Sequence, residues 1–385
     1  MDTLINALSA DHEQMKAWRH HLHRHPELAF DEHGTARYIA ELLRGWGYEV
    51  TEGIGKTGVV ARMRCGEGDR SIGLRADTDA LAVQEMVDSD HKSTVEGKSH
   101  TCGHDGHSAM LLGAAQYLAR TRAFNGTVNL IFQPAEEIMG GAVAMIEDGL
   151  FERFPMDAVF GMHNMPGLER GKLYFTAGPI MAAVDNWEIV LTGKGSHGSM
   201  PEKSIDPVVA GASLVMALQT IVSRNVGAKD SAVVSVGAFL AGDAGNVIPQ
   251  TATLRLSIRS SAPETRKLVL EKVKAITAAQ ALSFGVSHEI REGAPGAVLV
   301  NDPDQTLECA EVARALLGED QVVMPGPTFM GSEDFAYYAQ KKPGTYCFIG
   351  NGDTPMVHHP MYDFDDHNLP IGAAWWVAVA EHFLN

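Results

Sequence analysis

A chain of 385 residues exceeds the roughly 250–300 at which one hydrophobic core stops growing, so two domains are expected. With 45% hydrophobic and 21% charged residues, the composition is that of an ordered globular protein and excludes a disordered one. The formal charge of -17, from 31 basic and 48 acidic side chains, repels phosphate backbones and anionic lipid, and disfavours nucleic-acid and membrane partners.

At the N-terminus, MDTLINALSADHEQM has no basic segment followed by an apolar stretch, and no window reaches the ~18 consecutive apolar residues of a membrane span. A cytoplasmic protein is expected, and the four scattered cysteines (Cys65, Cys102, Cys309, Cys347) argue against a disulfide framework. Residues 11–25 read as a helix opened by Asp11 and stopped before Pro26. Its HHLHRHPE stretch gives His21 and His25 the i, i+4 spacing of a metal pair. No acidic residue completes an H-E-x-x-H pattern, so both read as surface or capping histidines. An amphipathic helix over 35–46 (Ile39, Leu42, Leu43, Trp46) ends at Gly47.

Short apolar runs follow: GVVARM (58–63), SIGLRAD (71–77), TVNLIFQ (127–133) and DAVFGMH (157–163), interleaved with helices near 107–121 and 140–149. This rhythm predicts an α/β domain with a central sheet flanked by helices. From Asp185 to Glu292 the order becomes strand, helix (206–223), two alternating strands, helix (263–281) and strand, the β-α-β-β-α-β arrangement of a small complete domain. A helix at 304–317, a strand TYCFIG (345–350) and a helix near 370–383 then resume the first rhythm. The expected organisation is therefore residues 1–183 plus 294–385 as one domain, with 184–293 inserted.

In open α/β sheets, ligands bind beyond the carboxyl ends of the strands. Here SIGLR runs into Ala76-Asp77-Thr78-Asp79, TVNLIFQ into Pro134-Ala135-Glu136-Glu137, DAVFGM into His163, and TYCFIG precedes Val357-His358-His359. With Cys102, His104 and His107 in SHTCGHDGHSAM, these form a set of N, O and S donors able to converge. Each has a plainer reading. An adjacent Glu-Glu pair is usually a solvated turn, and C-x-H alone reads equally as a buried thiol beside a surface histidine. A buried strand ending in two carboxylates, however, calls for a compensating cation or a retained proton. GKGSHGSMP (193–201) lacks the spacing of a phosphate loop, which leaves His197 unexplained.

RADTDAL, SHTCGHDGHSAMLLGAA, FQPAEE, GMHNMP, GKGSHGSMP, NVIP, GSEDFAYY and VHHPMYDFDD stand in the order and spacing of the metal-dependent amidohydrolases related to aminoacylase. From about Trp18 to the C-terminus, the chain resembles the branch of hippurate hydrolase, N-acyl-amino-acid deacylase and indole-acetyl-amino-acid hydrolase. The resemblance implies an α/β catalytic domain with an inserted ferredoxin-like lid that also makes a homodimer contact. It implies two divalent metal ions per subunit on Cys102, His104, Glu137, His163 and His358, with the cysteine placed to bridge them. Glu136 matches the general base and Asp77 an acidic residue supporting the site. His197 and Asn246, both in the lid, match substrate-binding residues, His197 also as an oxyanion donor.

The donor set suits Zn, Co, Ni, Mn or Fe(II) and selects none of them. The chain departs from the family pattern at Ile138-Met139, where many relatives carry glycines, and at Gly245 ahead of NVIP. Both changes bear on the substrate pocket rather than the metal residues. Three readings follow: an amidohydrolase of small N-acyl or N-aroyl amino acids, a dipeptidase or carboxypeptidase on the same scaffold, or an idle metal-binding protein. The last requires a missing ligand or base, and none is missing.

Overall fold

The computed structural model describes residues 2–385, and the chain divides into two compact units. One comprises the chain up to Gly178, Val300–Pro327 and Asp334–Asn385; the other comprises Pro179–Leu299 and Thr328–Glu333.

The first unit is built on an eight-stranded sheet in the order Glu49–Ile54, Gly58–Cys65, Gly126–Gln133, Ser71–Asp77, Ala158–Met165, Gly344–Gly350, Leu173–Tyr174, Val322–Val323. The four central strands, from Gly126–Gln133 to Gly344–Gly350, run parallel. They are buried almost throughout, which is why they read as unbroken apolar runs rather than as alternation. The helices His104–Thr121 and Asn368–Leu384 contribute Leu111, Ala114, Leu118, Ala373, Trp376 and Val377 to the core. They sit so close that a Cβ on Gly372 would lie 2.1 Å from the Met110 sulfur. Because the central strands are parallel, their carboxyl ends gather at one edge of the sheet, and Asp77 and Glu136-Glu137 arrive there together.

Two elements escape the sequence pattern. Glu49–Ile54 is a half-exposed edge strand without apolar alternation, and Asp2–Ala10 is a short helix whose Leu8 is fully buried. Asp11 does stand before the helix His12–Arg24, yet its carboxylate makes no cap and instead accepts from Arg120 Nη2 at 3.1 Å. His163 lies within its strand rather than beyond it.

The second unit holds a four-stranded antiparallel sheet in the order Ala232–Leu240, Thr251–Ser260, Ala183–Thr192, Ser287–Glu292. With helices Pro207–Asn225 and Pro263–Phe284, the chain order is β-α-β-β-α-β. Strand residues alternate between a core face (Trp187, Ile189, Leu191, Leu254, Leu256, Ile258) and a polar face (Glu188, Arg255, Ser257), as expected for a sheet covered on one side. Pro207–Asn225 starts with the Asp206 carboxylate accepting from the Val208 N–H at 2.8 Å. It is the one helix among the described residues long and apolar enough to cross a membrane, and Ala210, Leu214, Leu218 and Ile221 are packed in the core of this unit. The 328–333 segment joins the unit through the Phe329 N–H to the Ile180 carbonyl (2.8 Å) and Arg259 Nη1 to the Met330 carbonyl (2.7 Å).

Candidate metal centre

The backbone is shaped before any ligand is placed. Gly103, between Cys102 and His104, has φ +92°, and a Cβ there would fall 2.3 Å from Asn164 Nδ2 and 2.4 Å from the Tyr362 hydroxyl. Only glycine fits, so the helix His104–Thr121 begins directly at a donor residue. After the strand Gly126–Gln133, Ala135 adopts φ +53° and three consecutive N–H groups are captured by two buried carboxylates. Ala135 donates to Glu32 Oε1 (2.9 Å), Glu136 to Asp79 Oδ1 (3.1 Å) and Glu137 to Asp79 Oδ2 (3.0 Å). His358, also in the left-handed region at φ +68°, donates its N–H to the Thr101 carbonyl at 2.6 Å.

The side chains converge from these anchors. Cys102 Sγ is 3.4 Å from His163 Nε2, and His358 Nε2 is 3.3 Å from Glu137 Oε2. His104 Nε2 is 3.8 Å from Glu137 Oε1, 4.0 Å from Glu136 Oε2 and 3.7 Å from Asp77 Oδ2. The donor atoms of Cys102, His104 and His163 lie within 4.8 Å of one another, as do those of Cys102, Glu137 and His358, and those of His104, Glu136 and Glu137. The structure thus brings Cys102, His104, Glu136, Glu137, His163, His358 and Asp77 into one cluster. His197 and Asn246 lie in the second unit, both exposed. His197 pairs with Val247 across a two-residue ladder and its Nδ1 is 2.7 Å from Ser199 Oγ.

Hydrogen bonds fix the imidazoles. His104 Nδ1 faces only acceptors, the Asp79 carbonyl (2.9 Å) and Oδ1 (3.2 Å), so it carries a proton and Nε2 is the nitrogen turned toward the cluster. His163 Nδ1 likewise donates to the Asn164 carbonyl at 2.5 Å, turning Nε2 toward Cys102. His107 differs: Nε2 accepts the Asn164 N–H (3.0 Å) while Nδ1 donates to Asp77 Oδ1 (2.6 Å), so both nitrogens are engaged and it positions rather than ligates. Asp77 also accepts from Arg75 Nη1 at 2.8 Å, and that buried guanidinium reaches Gln133 and Asp334 as well.

The donors fit a metal. Among the described residues, His104 Nε2 and Glu137 Oε1 are buried without a hydrogen-bond partner, both inside the cluster. Burial, then the charges of Glu137 and Glu136, push the Cys102 thiol well above its ordinary range. Burial alone would lower His104, but Asp77 and Asp79 outweigh it and raise it to about 10. Burial beside His107 drives His163 well below the usual histidine value, which keeps it neutral. A thiol and a histidine crowded by carboxylates in this way hold their protons unless a cation takes their place, and the mixed S, N and O set is one that divalent transition metals accept.

Sequence reasoning placed Asp79 at the strand end without giving it a role, and passed over Glu32 and Arg19. Asp79 was visible as the second acid of RADTDAL, two residues from Asp77 along an extended chain. Its partners, a histidine 25 residues away and backbone amides 57 and 58 residues away, leave no local pattern.

Comparison with known proteins gives a consistent picture. A sequence profile of Peptidase family M20/M25/M40 matches residues 73–382. The chain is 46% identical over 366 residues to hippurate hydrolase of Campylobacter jejuni, covering 95% of each chain. It is 37% identical over 373 residues to N-acetylcysteine deacetylase of Bacillus subtilis, covering 96% of this chain and 97% of the relative. A Bacillus subtilis crystal structure described as a dinuclear metal binding peptidase of the M20 family superposes with a TM-score of 0.86 at 34% identity, covering 98% of this chain and 99% of that one.

Proposed function

The chain belongs to peptidase family M20/M25/M40 and is an amidohydrolase; we propose that it cleaves the amide bond of N-acyl and N-aroyl amino acids at a pair of divalent metal ions. We assign the metal ions to Cys102, His104, Glu137, His163 and His358. The observation that carries this reading is the convergence of those five residues with Glu136, where His104 Nε2 and Glu137 Oε1 are buried without a hydrogen-bond partner, 3.8 Å apart.

When bound, such ions supply Lewis acidity, lowering the pKa of water from 15.7 toward about 7 and stabilising developing negative charge. The remaining chemistry belongs to the chain. Glu136 takes the proton of the attacking water and returns it to the leaving nitrogen, converting a poor leaving group into an amine. Its main chain is held on Asp79 while its side chain stays near the ligands, 4.0 Å from His104. Asp77, fixed between Arg75 and His107, supports the cluster from behind. His197, whose Nδ1 contacts Ser199, is proposed as an oxyanion donor through Nε2, and Asn246 as a hydrogen-bonding group for the substrate.

Glu136→Gln is expected to retain two metal equivalents by elemental analysis while turnover of N-benzoylglycine falls by about 10²–10⁴. Loss of metal in that variant contradicts the division of labour between Glu136 and Glu137. In a panel of N-benzoyl, N-acetyl and dipeptide substrates, acylated amino acids are expected to turn over fastest; a preference for free dipeptides makes the protein a peptidase.

The homodimer is proposed to form through the second unit. Ala232–Leu240 is an edge strand with Val233, Phe239 and Leu240 exposed, and the neighbouring helix exposes Val209 and Met216. A reducing, cytoplasmic compartment is proposed from the four cysteines, all free and buried.

A further inference from the structure

The histidine-rich helix His12–Arg24, whose His21 and His25 sequence reasoning left on the surface or at a cap, carries a charged residue that is 1% exposed, Arg19. Its guanidinium meets three carboxylates from two distant segments. Nε donates to Asp105 Oδ2 at 2.8 Å, Nη1 to Asp366 Oδ1 at 3.1 Å, and Nη2 to Asp363 Oδ1. Asp105 immediately follows the proposed ligand His104 in the first turn of its helix, whereas Asp363 and Asp366 lie on the segment that leaves His358. Phe364, between the two acids, sits with its ring centroid 5.8 Å from the same guanidinium.

His358 needs such support more than the other ligands. Cys102, His104 and His163 are buried and each histidine is held by a second hydrogen bond through Nδ1. The His358 side chain is 53% exposed, and its Nε2 pairs with Glu137 Oε2 at 3.3 Å. Its position is therefore set by its loop. That loop is tied at its start to Thr101, along its length by the Met86 N–H to the Pro360 carbonyl (2.8 Å) and the Tyr362 hydroxyl to Asn164 Oδ1 (2.6 Å), and at its far end by Asp363 and Asp366, which Arg19 shares with His91 and His20.

We propose that Arg19 is a positioning residue of the metal centre, locking the helix that begins at His104 to the loop that bears His358 and thereby setting metal affinity at the position that uses His358. The proposal rests on the ligand assignment above. Arginine is required because its planar fork reaches several carboxylates at once, whereas a lysine ammonium presents a single point charge. Arg19 lies outside residues 73–382, so the family profile assigns it no part.

The test is titration of metal-free protein with cobalt(II), followed by the thiolate-to-cobalt charge-transfer and d–d absorption bands, with circular dichroism melts of the same samples. Wild type is expected to take two equivalents. Arg19→Lys is expected to stay folded, bind one equivalent normally and bind the other about 10–100-fold more weakly, the range for lost support of a ligand. That difference should vanish in a His358→Ala background, since the two changes act on one ligand. A folded Arg19→Lys protein that binds both equivalents like wild type, with only a lower melting temperature, overturns the proposal. Should Arg19→Lys fail to fold, Asp363→Asn removes one anchor and leaves Asp105 and Asp366 on the guanidinium, with His91→Ala, which removes the other side-chain partner of Asp363 (3.1 Å), as the control; one equivalent bound more weakly in Asp363→Asn than in His91→Ala supports the role, and wild-type binding or equal weakening overturns it. A wild type that takes up no cobalt overturns the ligand assignment and the Arg19 role together, an outcome separate from a two-equivalent wild type with an unaffected variant.

Discussion

Asp79 organises more of the centre than any ligand does. One oxygen is shared between the Glu136 N–H and His104 Nδ1, and the other accepts the Glu137 N–H, so this carboxylate fixes a tautomer and the backbone of both glutamates. Asp79→Ala is accordingly expected to lower metal affinity by about 10–100-fold and to reduce kcat at saturating metal, since it frees ligand and base together. Isothermal titration with zinc, paired with steady-state kinetics, checks this; unchanged values in a folded variant contradict it. The ligand types and the Glu136-Glu137 pair were legible because strand ends in a parallel sheet announce themselves in one-dimensional pattern. Asp79 and Glu32 were not, because what they bind is main-chain N–H, which every residue carries and no sequence displays. Arg19 and His23 were masked by neighbours: His21 stacks on Tyr38 at 3.9 Å and His25 is exposed, while the residues four apart on the opposite face of the same helix are buried.

That buried face packs the helix His12–Arg24 against the helix that begins at His104. His23 Nδ1 lies 2.8 Å from Asp105 Oδ2 and its Nε2 lies 3.2 Å from Glu85 Oε1. Burial alone would lower its pKa, but the Asp105 charge and the bonds to Asp105 and Glu85 outweigh it and raise it from 6.5 to about 9. A folded-state value above the unfolded one stabilises the protein fully below about pH 6.5, and that contribution is lost as pH rises through 9. It amounts to about 3 kcal/mol at its fullest. Chemical denaturation between pH 6 and 9.5 is expected to show wild-type stability falling relative to His23→Gln as pH increases; parallel curves contradict the pairing. The helices themselves were legible from periodicity, and Met15, Trp18 and Leu22 mark the inward side of this one, but that Arg19 and His23 share that side was not legible, because charged and titratable side chains are expected on the solvent face.

The α/β class and the β-α-β-β-α-β order of the second unit follow from a change in rhythm, continuous apolar runs giving way to alternating strands, and that change reflects sheets covered on two faces and on one. The place of 328–333 was not legible, since short backbone bonds rather than a hydrophobic pattern attach it to the second unit. The exposed apolar residues of that unit, notably Met216 at 71% and Leu240 at 52%, carry the expectation of a dimer. Sedimentation is expected to give twice the 41.5 kDa chain mass for wild type and the chain mass for Met216→Glu/Leu240→Asp, while a monomeric wild type contradicts the proposed interface. Remote segments are thus proposed to close on two metal ions beside Glu136. Anomalous diffraction at the zinc edge, from crystals grown with excess zinc, tests it most directly. Two peaks are predicted, both within bonding distance of Cys102 Sγ, with His104 and His163 completing one position and Glu137 and His358 the other; peaks at unrelated surface sites, with the cluster empty, would contradict the account.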